Sequence, residues 1–253
     1  MHNKRRAYYD GRGSFHKIVR GINKSLQKEL NIALRVNIDR ENLFSMPDLA
    51  DFIISESWIE SDHFVSYFGP VREICLGYQN FTPTTTILAG IFDTYKKYPN
   101  TKIFSLLGWR GVDQIRNLVN KKQLSLPVFS YCGSNTGRFC LDLFGDIYTC
   151  VTALGKPELK IGSFGEKLIL NKEKLSEWRT RDIMTIPECR ECQFALFCGG
   201  GCSYLAILKN KNLFSPFCEE VKGVLEMAVK YFFPRIKEIA AMLEIDEKQK
   251  IIQ

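Results

Sequence analysis

The chain has 253 residues, enough for one large domain or two smaller ones with a buried core. Hydrophobic content of 45% and charged content of 25% are ordinary for a soluble globular protein, and no apolar run approaches the ~20 residues of a membrane span. The formal charge is +7, but Lys and Arg are spread along the chain without a dense stripe, so the expectation is a solvated surface with no nucleic-acid partner and no membrane.

The start, MHNKRR, is basic, but YYDGRGSF follows where a signal peptide needs an apolar stretch. A cytoplasmic location is expected. Nine cysteines without a secretion signal favour metal or redox chemistry over disulfides.

Residues 14–29 place Phe15, Ile18, Val19, Ile22 and Leu26 at helical spacing, with Ser14 as a candidate N-cap. NIALRVNID (31–39) is short and rich in β-branched and apolar residues, which predicts a strand. MPDLADFIISE (46–56) reads as a helix with Pro47 in its first turn, and HFVSYFGPV (63–71) as a second strand. Helix, strand, helix, strand at this pitch predicts βα units on a parallel sheet. A helix capped by a Thr and stopped before Pro99 is expected over 82–100, and another over Val112–Lys121.

Leu126–Pro127 is the expected domain boundary, giving domains 1–126 and 127–253. Beyond it the cysteines and glycines concentrate and the elements shorten. FCLDLFGDIYTC (139–150) reads as a hairpin turning at Gly145–Asp146, and NKEKLSEWRTR (171–181) as a short helix. A longer closing helix is expected over about Glu219–Leu243, kinked or broken by Pro234. His2, His16 and His63 have no mutual spacing suited to a metal. Trp109 and Trp178 read as core, and the GRG of 11–13 as a turn.

Eight of the nine cysteines fall after residue 130: Cys132, Cys140, Cys150, Cys189, Cys192, Cys198, Cys202 and Cys218. CRECQFALFCGGGC (189–202) has the spacing C-x2-C-x5-C-x3-C. A C-x2-C pair lets two thiolates converge from one tight turn, and GGG permits unusual backbone angles and close approach. A zinc ribbon usually has two matched C-x2-C pairs, and here there is one. Local spacing leaves iron–sulfur, zinc and disulfide readings open.

The full spacing is C-x12-G-x4-C, a gap, C-x2-C-x5-C-x3-C, a gap, then Cys218. Over roughly residues 130–222 it resembles the seven-cysteine signature of the SPASM domain, the C-terminal extension of many radical S-adenosylmethionine (SAM) enzymes. Cys140 matches an eighth ligand of the two-cluster members. The resemblance implies two auxiliary [4Fe–4S] clusters, one on Cys132, Cys140, Cys150 and Cys202 and one on Cys189, Cys192, Cys198 and Cys218. Two four-thiolate clusters of about −2 each would bring the +7 charge to about +3. Cys75 is left over and reads as a small buried residue.

HNKRRAYYDGRGSFHKIVRGI (2–22) resembles the segment after the fourth barrel strand of radical SAM enzymes, and RVNIDRENL (35–43) the next strand and its exit. The implied fold is α/β. Residues 1–75 are expected to form the second half of a partial (β/α)6 barrel, followed after a helical connector by a small α+β SPASM domain with a β-hairpin and C-terminal helix. Arg6 matches a family arginine that contacts SAM, although Asn3 stands where the family usually has Asp.

The family's C-x3-C-x2-C motif for the SAM-reducing cluster, and the glycine-rich turn that meets the SAM amino group, have no counterpart here. The expectation is a fragment inactive alone. SAM and a third [4Fe–4S] cluster would belong only to a full-length parent, and half a barrel would expose a strand edge and an apolar face that a partner chain could complete. The activity implied for the parent is radical hydrogen abstraction from a peptide or protein. Sulfatase maturases carry an Asp directly after the cysteine of G-x4-C, and this chain has Val151, which puts modification of ribosomally made peptides ahead. The alternatives are a non-catalytic electron-transfer or substrate-docking subunit and a zinc-stapled binding module.

Overall fold

The computed structural model describes residues 2–71, 82–123, 125–218 and 221–250, with side chains described as far as 238. Cys75 lies outside the described residues. The chain forms two compact units, Met1–Trp109 and Arg110–Gln253. The division falls upstream of the Leu126–Pro127 boundary expected from composition.

The first unit opens with a short helix α1 (His2–Arg5), then α2 (Phe15–Leu26), β1 (Ile32–Ile38), α3 (Met46–Ser55), β2 (Phe64–Pro70), α4 (Thr84–Lys97) and β3 (Phe104–Ser105). The strands form one parallel sheet in the order β1-β2-β3. Pro47 sits in the first turn of α3, where its missing N–H costs nothing. Two caps differ from expectation. Ser14 occupies the N-cap position of α2, but its hydroxyl donates to the Arg6 carbonyl at 2.6 Å instead of taking a helix N–H. Pro83, not a threonine, precedes α4.

The register pairs Ala33 with Val65, Arg35 with Tyr67 and Asn37 with Gly69 on one face of the sheet. Ala33, Arg35, Asn37 and Val65 are exposed there, whereas Phe64, Ser66 and Phe68 on the other face are buried. Phe68 and Phe104 stack with ring centroids 4.5 Å apart, and the buried Trp109 indole donates to the Phe68 carbonyl at 2.6 Å. One face of this parallel sheet is therefore a packed core and the other is open, carrying Arg35. The Arg35 side chain lies across Gly69, where a Cβ would collide with it, and its Nε donates to Asn37 at 3.0 Å.

The second unit begins with α5 (Val112–Lys121). A four-stranded antiparallel sheet follows, β4 (Cys140–Leu141), β5 (Asp146–Tyr148), β6 (Gly162–Ser163) and β7 (Ile169–Leu170), paired in chain order. The hairpin is present, but its turn is Asp142–Gly145, and Asp146 already belongs to the return strand. The Asp142 carboxylate sets that turn by accepting the Phe144 and Asp146 N–H groups, both at 2.9 Å. Next come α6 (Lys172–Thr180), capped by Asn171 accepting from the Lys174 N–H at 3.0 Å, and the short helices α7 (Pro187–Arg190) and α8 (Ala195–Cys198). They are followed by α9 (Ser203–Asn210) and α10 (Val221–Lys250). Pro234 lies inside α10 without ending it. No helix among the described residues is long and apolar enough to cross a membrane.

In the first unit, the nearly buried Asp39 at the end of β1 accepts from Arg5 at 2.6 and 3.2 Å and from the Glu41 and Asn42 N–H groups. Burial works against its charge, but these hydrogen bonds, led by Arg5, hold the carboxyl below its usual range. A carboxyl depressed in this way stabilises the fold above its unfolded value and loses that contribution as pH falls. Asp39→Asn is expected to cost about 1–2 kcal/mol at neutral pH, since Arg5 is partly solvated. Urea unfolding of both proteins should show the difference constant above about pH 5 and shrinking below about pH 3.9.

Candidate metal centre

The eight cysteines of the second unit fall around two apolar clusters, with Cys150, Cys189 and Cys198 buried and Cys192 and Cys218 exposed. Cys140, on β4, and Cys150, just beyond β5, pack with Ile147, Tyr148, Ile161, Leu175, Trp178, Tyr204 and Leu205, and Cys202 packs against the same cluster. Cys140 stands one pair from the turn, opposite Tyr148, so the hairpin register brings its thiol toward Cys150. Burial pushes the Cys140 thiol up, and Cys150 adds to that shift.

Cys132 joins this neighbourhood through polar side chains. Its Sγ lies 3.0 Å from Ser134 Oγ. The Ser203 hydroxyl, next to Cys202, donates to Asn135 Oδ1 at 2.9 Å, and Asn135 Nδ2 donates to the Trp178 carbonyl at 2.8 Å. Both Ser134 and Asn135 are buried, so this chain pins the Cys132 loop to the start of α9.

Cys189 sits in a separate cluster with Ile183, Ile186 and Ala195. Burial pushes its thiol up to about 11, and Cys198, Cys218 and Cys192 add to it in that order. The Cys198 thiol is raised by burial and then by Cys218, while the Gly200 and Gly201 N–H groups pull it back. Burial, Cys192 and Glu188 raise Cys218. These four thiols thus feel one another electrostatically. A lone tetrahedral zinc would need sulfurs about 3.8 Å apart, given Zn–S of ~2.3 Å. Among the described residues no group of three or more His, Cys, Asp or Glu forms such an ion site.

The glycine triplet lets the two surroundings meet. Gly199, Gly200 and Gly201 all have left-handed backbone angles, with φ of +71°, +79° and +74°. A Cβ on Gly199 would lie 2.8 Å from the Ser130 carbonyl carbon, and one on Gly201 would collide with the Phe217 carbonyl. The chain can therefore reverse after Cys198 and carry Cys202 back toward the hairpin only with glycine at these positions.

Between the two surroundings lies Arg181, which is 0% exposed. Its Nε donates to the Leu213 carbonyl at 2.5 Å, Nη1 to Gly201 at 3.1 Å, and Nη2 to Gly200 and Ser215 at 3.0 Å each. Among the described residues it has no carboxylate partner. Burial lowers its pKa, and the thiols of Cys202, Cys189, Cys132 and Cys198 act against that. A buried cation held only by carbonyl dipoles is costly unless negative charge stands near it. Thr149, adjacent to Cys150 in sequence and 2% exposed, has a hydroxyl with no hydrogen-bond partner among the described residues. A lone buried cation with thiols around it fits anionic thiolate-bound groups.

The other sequence-derived site residue, Arg6, is exposed at the end of α1 in the first unit. Its neighbour Arg5 makes the ion pair with Asp39 instead. A cavity of about 650 Å³ in that unit is lined by Tyr8, Arg12, Lys17, Arg20 and Lys24, a solvated basic face of α2. Sequence reading found the cysteines but passed over Arg181 and Thr149. Their types are unremarkable in a list, and their meaning lies in burial without a partner.

No protein-family model matches the chain. An uncharacterized protein of Archaeoglobus fulgidus is 25% identical over 235 residues, covering 85% of this chain and 52% of that protein. Among solved structures, native anSMEcpe with bound AdoMet and Kp18Cys peptide is similar with a TM-score of 0.59 at 16% identity, covering 95% of this chain and 66% of that one. Native anSMEcpe with bound AdoMet gives 0.60, also at 16% identity, with 95% and 65% covered. The chain thus spans about half the length of the curated relative and under two thirds of these structures. anSMEcpe is a radical SAM/SPASM anaerobic sulfatase-maturating enzyme, and the likeness in fold is to that architecture.

Gly201→Ala is expected to lower stability by about 2–3 kcal/mol, from the strained φ together with the collision at Phe217. Gly155, with φ of +75° and nothing within 4 Å of an added Cβ, is the control. Gly155→Ala should cost only about 1 kcal/mol. Thermal unfolding of the two variants separates close approach from backbone strain.

Proposed function

We propose that the chain is the cluster-bearing portion of a radical SAM/SPASM protein that modifies a peptide or protein. The second unit would hold two [4Fe–4S] clusters, one on Cys132, Cys140, Cys150 and Cys202 and the other on Cys189, Cys192, Cys198 and Cys218. The observation that carries this reading is Arg181, a fully buried cation with thiols around it and no carboxylate partner among the described residues. Bound clusters would supply one-electron chemistry and a place to bind substrate.

The chain's own residues would set the environment of those groups. The Gly200 and Gly201 N–H groups act to lower the Cys198 thiol, against its burial. The apolar packing around Cys140, Cys150 and Cys202 keeps water away. Hydrogen bonds to sulfur and burial are the protein's levers on cluster potential.

Two observations support the substrate class. anSMEcpe has been captured with a peptide, and its fold is similar to this chain. Val151, directly after Cys150, is an exposed apolar side chain where sulfatase maturases carry an acidic base. Modification of a ribosomally made peptide is therefore preferred to sulfatase maturation.

The second reading is a cluster-bearing electron-transfer or substrate-docking subunit. It takes the same two cysteine sets and needs no C-x3-C-x2-C motif, which the 253 residues do not contain. Under both readings these residues alone would not cleave SAM. Anaerobic incubation with SAM and dithionite is expected to give no 5′-deoxyadenosine above a protein-free control.

Metal and acid-labile sulfide per chain test the shared core of both readings. After anaerobic reconstitution, about eight iron and eight sulfide are expected. About one or two zinc with no sulfide would replace this reading with a zinc-stapled module.

A further inference from the structure

We infer that Arg181 is a shared electrostatic positioning residue, whose single charge stands between the two cysteine sets and holds the reduction potentials of both clusters up together. This rests on the two-cluster reading above and goes beyond it by naming what couples the two sites.

Arg181 follows directly on α6, whose Leu175 and Trp178 pack into the core that holds Cys140, Cys150 and Cys202. A tight turn comes next, in which the Asp182 carboxylate accepts the Met184 and Thr185 N–H groups at 2.8 and 2.9 Å. Beyond it lies α7, with Cys189. The residue thus sits where the chain passes from one thiol surrounding to the other.

The guanidinium is oriented by the four carbonyls of Gly200, Gly201, Leu213 and Ser215. A Cβ built on Gly200 would lie 3.7 Å from Arg181 Nη1 and 3.9 Å from Cys189 Sγ, so one glycine backbone separates the cation from that thiol. The thiols that act on its charge are two from each set: Cys132 and Cys202 from one, Cys189 and Cys198 from the other.

Neutral donors such as Gln could hold carbonyls without burying a charge. A guanidinium is always charged, so its burial here is sensible only beside anions. A four-thiolate cluster gains one negative charge on reduction. A fixed neighbouring cation stabilises the reduced form more than the oxidised one, and so raises the potential. One cation facing thiols of both sets raises both.

Spectroelectrochemical titration with EPR detection tests this on wild type, Arg181→Gln and Arg181→Lys, after iron and sulfide are counted in each. In the one-electron couple, the electron comes from dithionite through mediators. Arg181→Gln is expected to shift the oxidised-to-reduced ratio of both clusters at least tenfold toward oxidised at a fixed potential, about 59 mV lower for one electron. Arg181→Lys keeps the charge and should stay within about threefold of wild type while losing thermal stability. Unchanged potentials in Arg181→Gln, or a shift in one cluster alone, would overturn the inference.

If Arg181→Gln cannot be loaded, Arg181→Lys decides. Loading with both potentials near wild type supports the electrostatic role. Failure of the Lys variant to load reduces Arg181 to a structural pin. Absence of iron and sulfide in the wild type would instead defeat the two-cluster reading itself.

Discussion

A guanidinium with no access to water and no carboxylate among the described residues organises the second unit. Arg181 gathers the carbonyls of Gly200, Gly201, Leu213 and Ser215, which lie immediately before and after α9. Those segments carry or flank Cys198, Cys202 and Cys218. Without negative charge nearby, the cost of burying such an ion would exceed what four carbonyl dipoles return. The arrangement makes sense when thiolate-bound anions stand on either side of it. The left-handed glycine triplet serves the same arrangement, because glycine lets the chain pass between Ile186 and the Phe217 carbonyl while offering two of its own carbonyls to Arg181.

Much of the first unit was legible in the sequence. Apolar periodicity gave α2, α3, β1 and β2 to within a few residues, and their alternation gave the parallel sheet. Errors fell where side-chain geometry decides. Ser14 stands at the cap position, but its hydroxyl is drawn to the Arg6 carbonyl, which no pattern reveals. In the second unit the hairpin was visible but β6 and β7 were not, because two-residue strands have no period to read. Local cysteine spacing left iron–sulfur, zinc and disulfide readings open, and the resemblance of the full pattern implied cluster chemistry. The residue that makes that chemistry physically sensible, Arg181, carries no signal until its burial and missing carboxylate partner are known.

The open face of the first sheet fits the same account. Ala33, Arg35, Asn37 and Val65 are exposed on a parallel sheet, a type normally covered on both faces. Arg35 and Asn37 give that face a polar centre with Gly69 beneath. In a longer protein, or with a partner chain, this surface would be an interior wall.

The central claim is that CRECQFALFCGGGC does not hold one metal, because Cys202 serves with the hairpin cysteines and Cys198 with Cys218. Iron content of paired alanine variants after anaerobic reconstitution tests it most directly. The account predicts that Cys140→Ala and Cys202→Ala together keep about four iron per chain, no fewer than either alone, while Cys198→Ala and Cys202→Ala together lose nearly all of it. If the Cys198 and Cys202 pair instead keeps as much iron as either single variant, the two thiols share one group, and the interleaved arrangement is wrong.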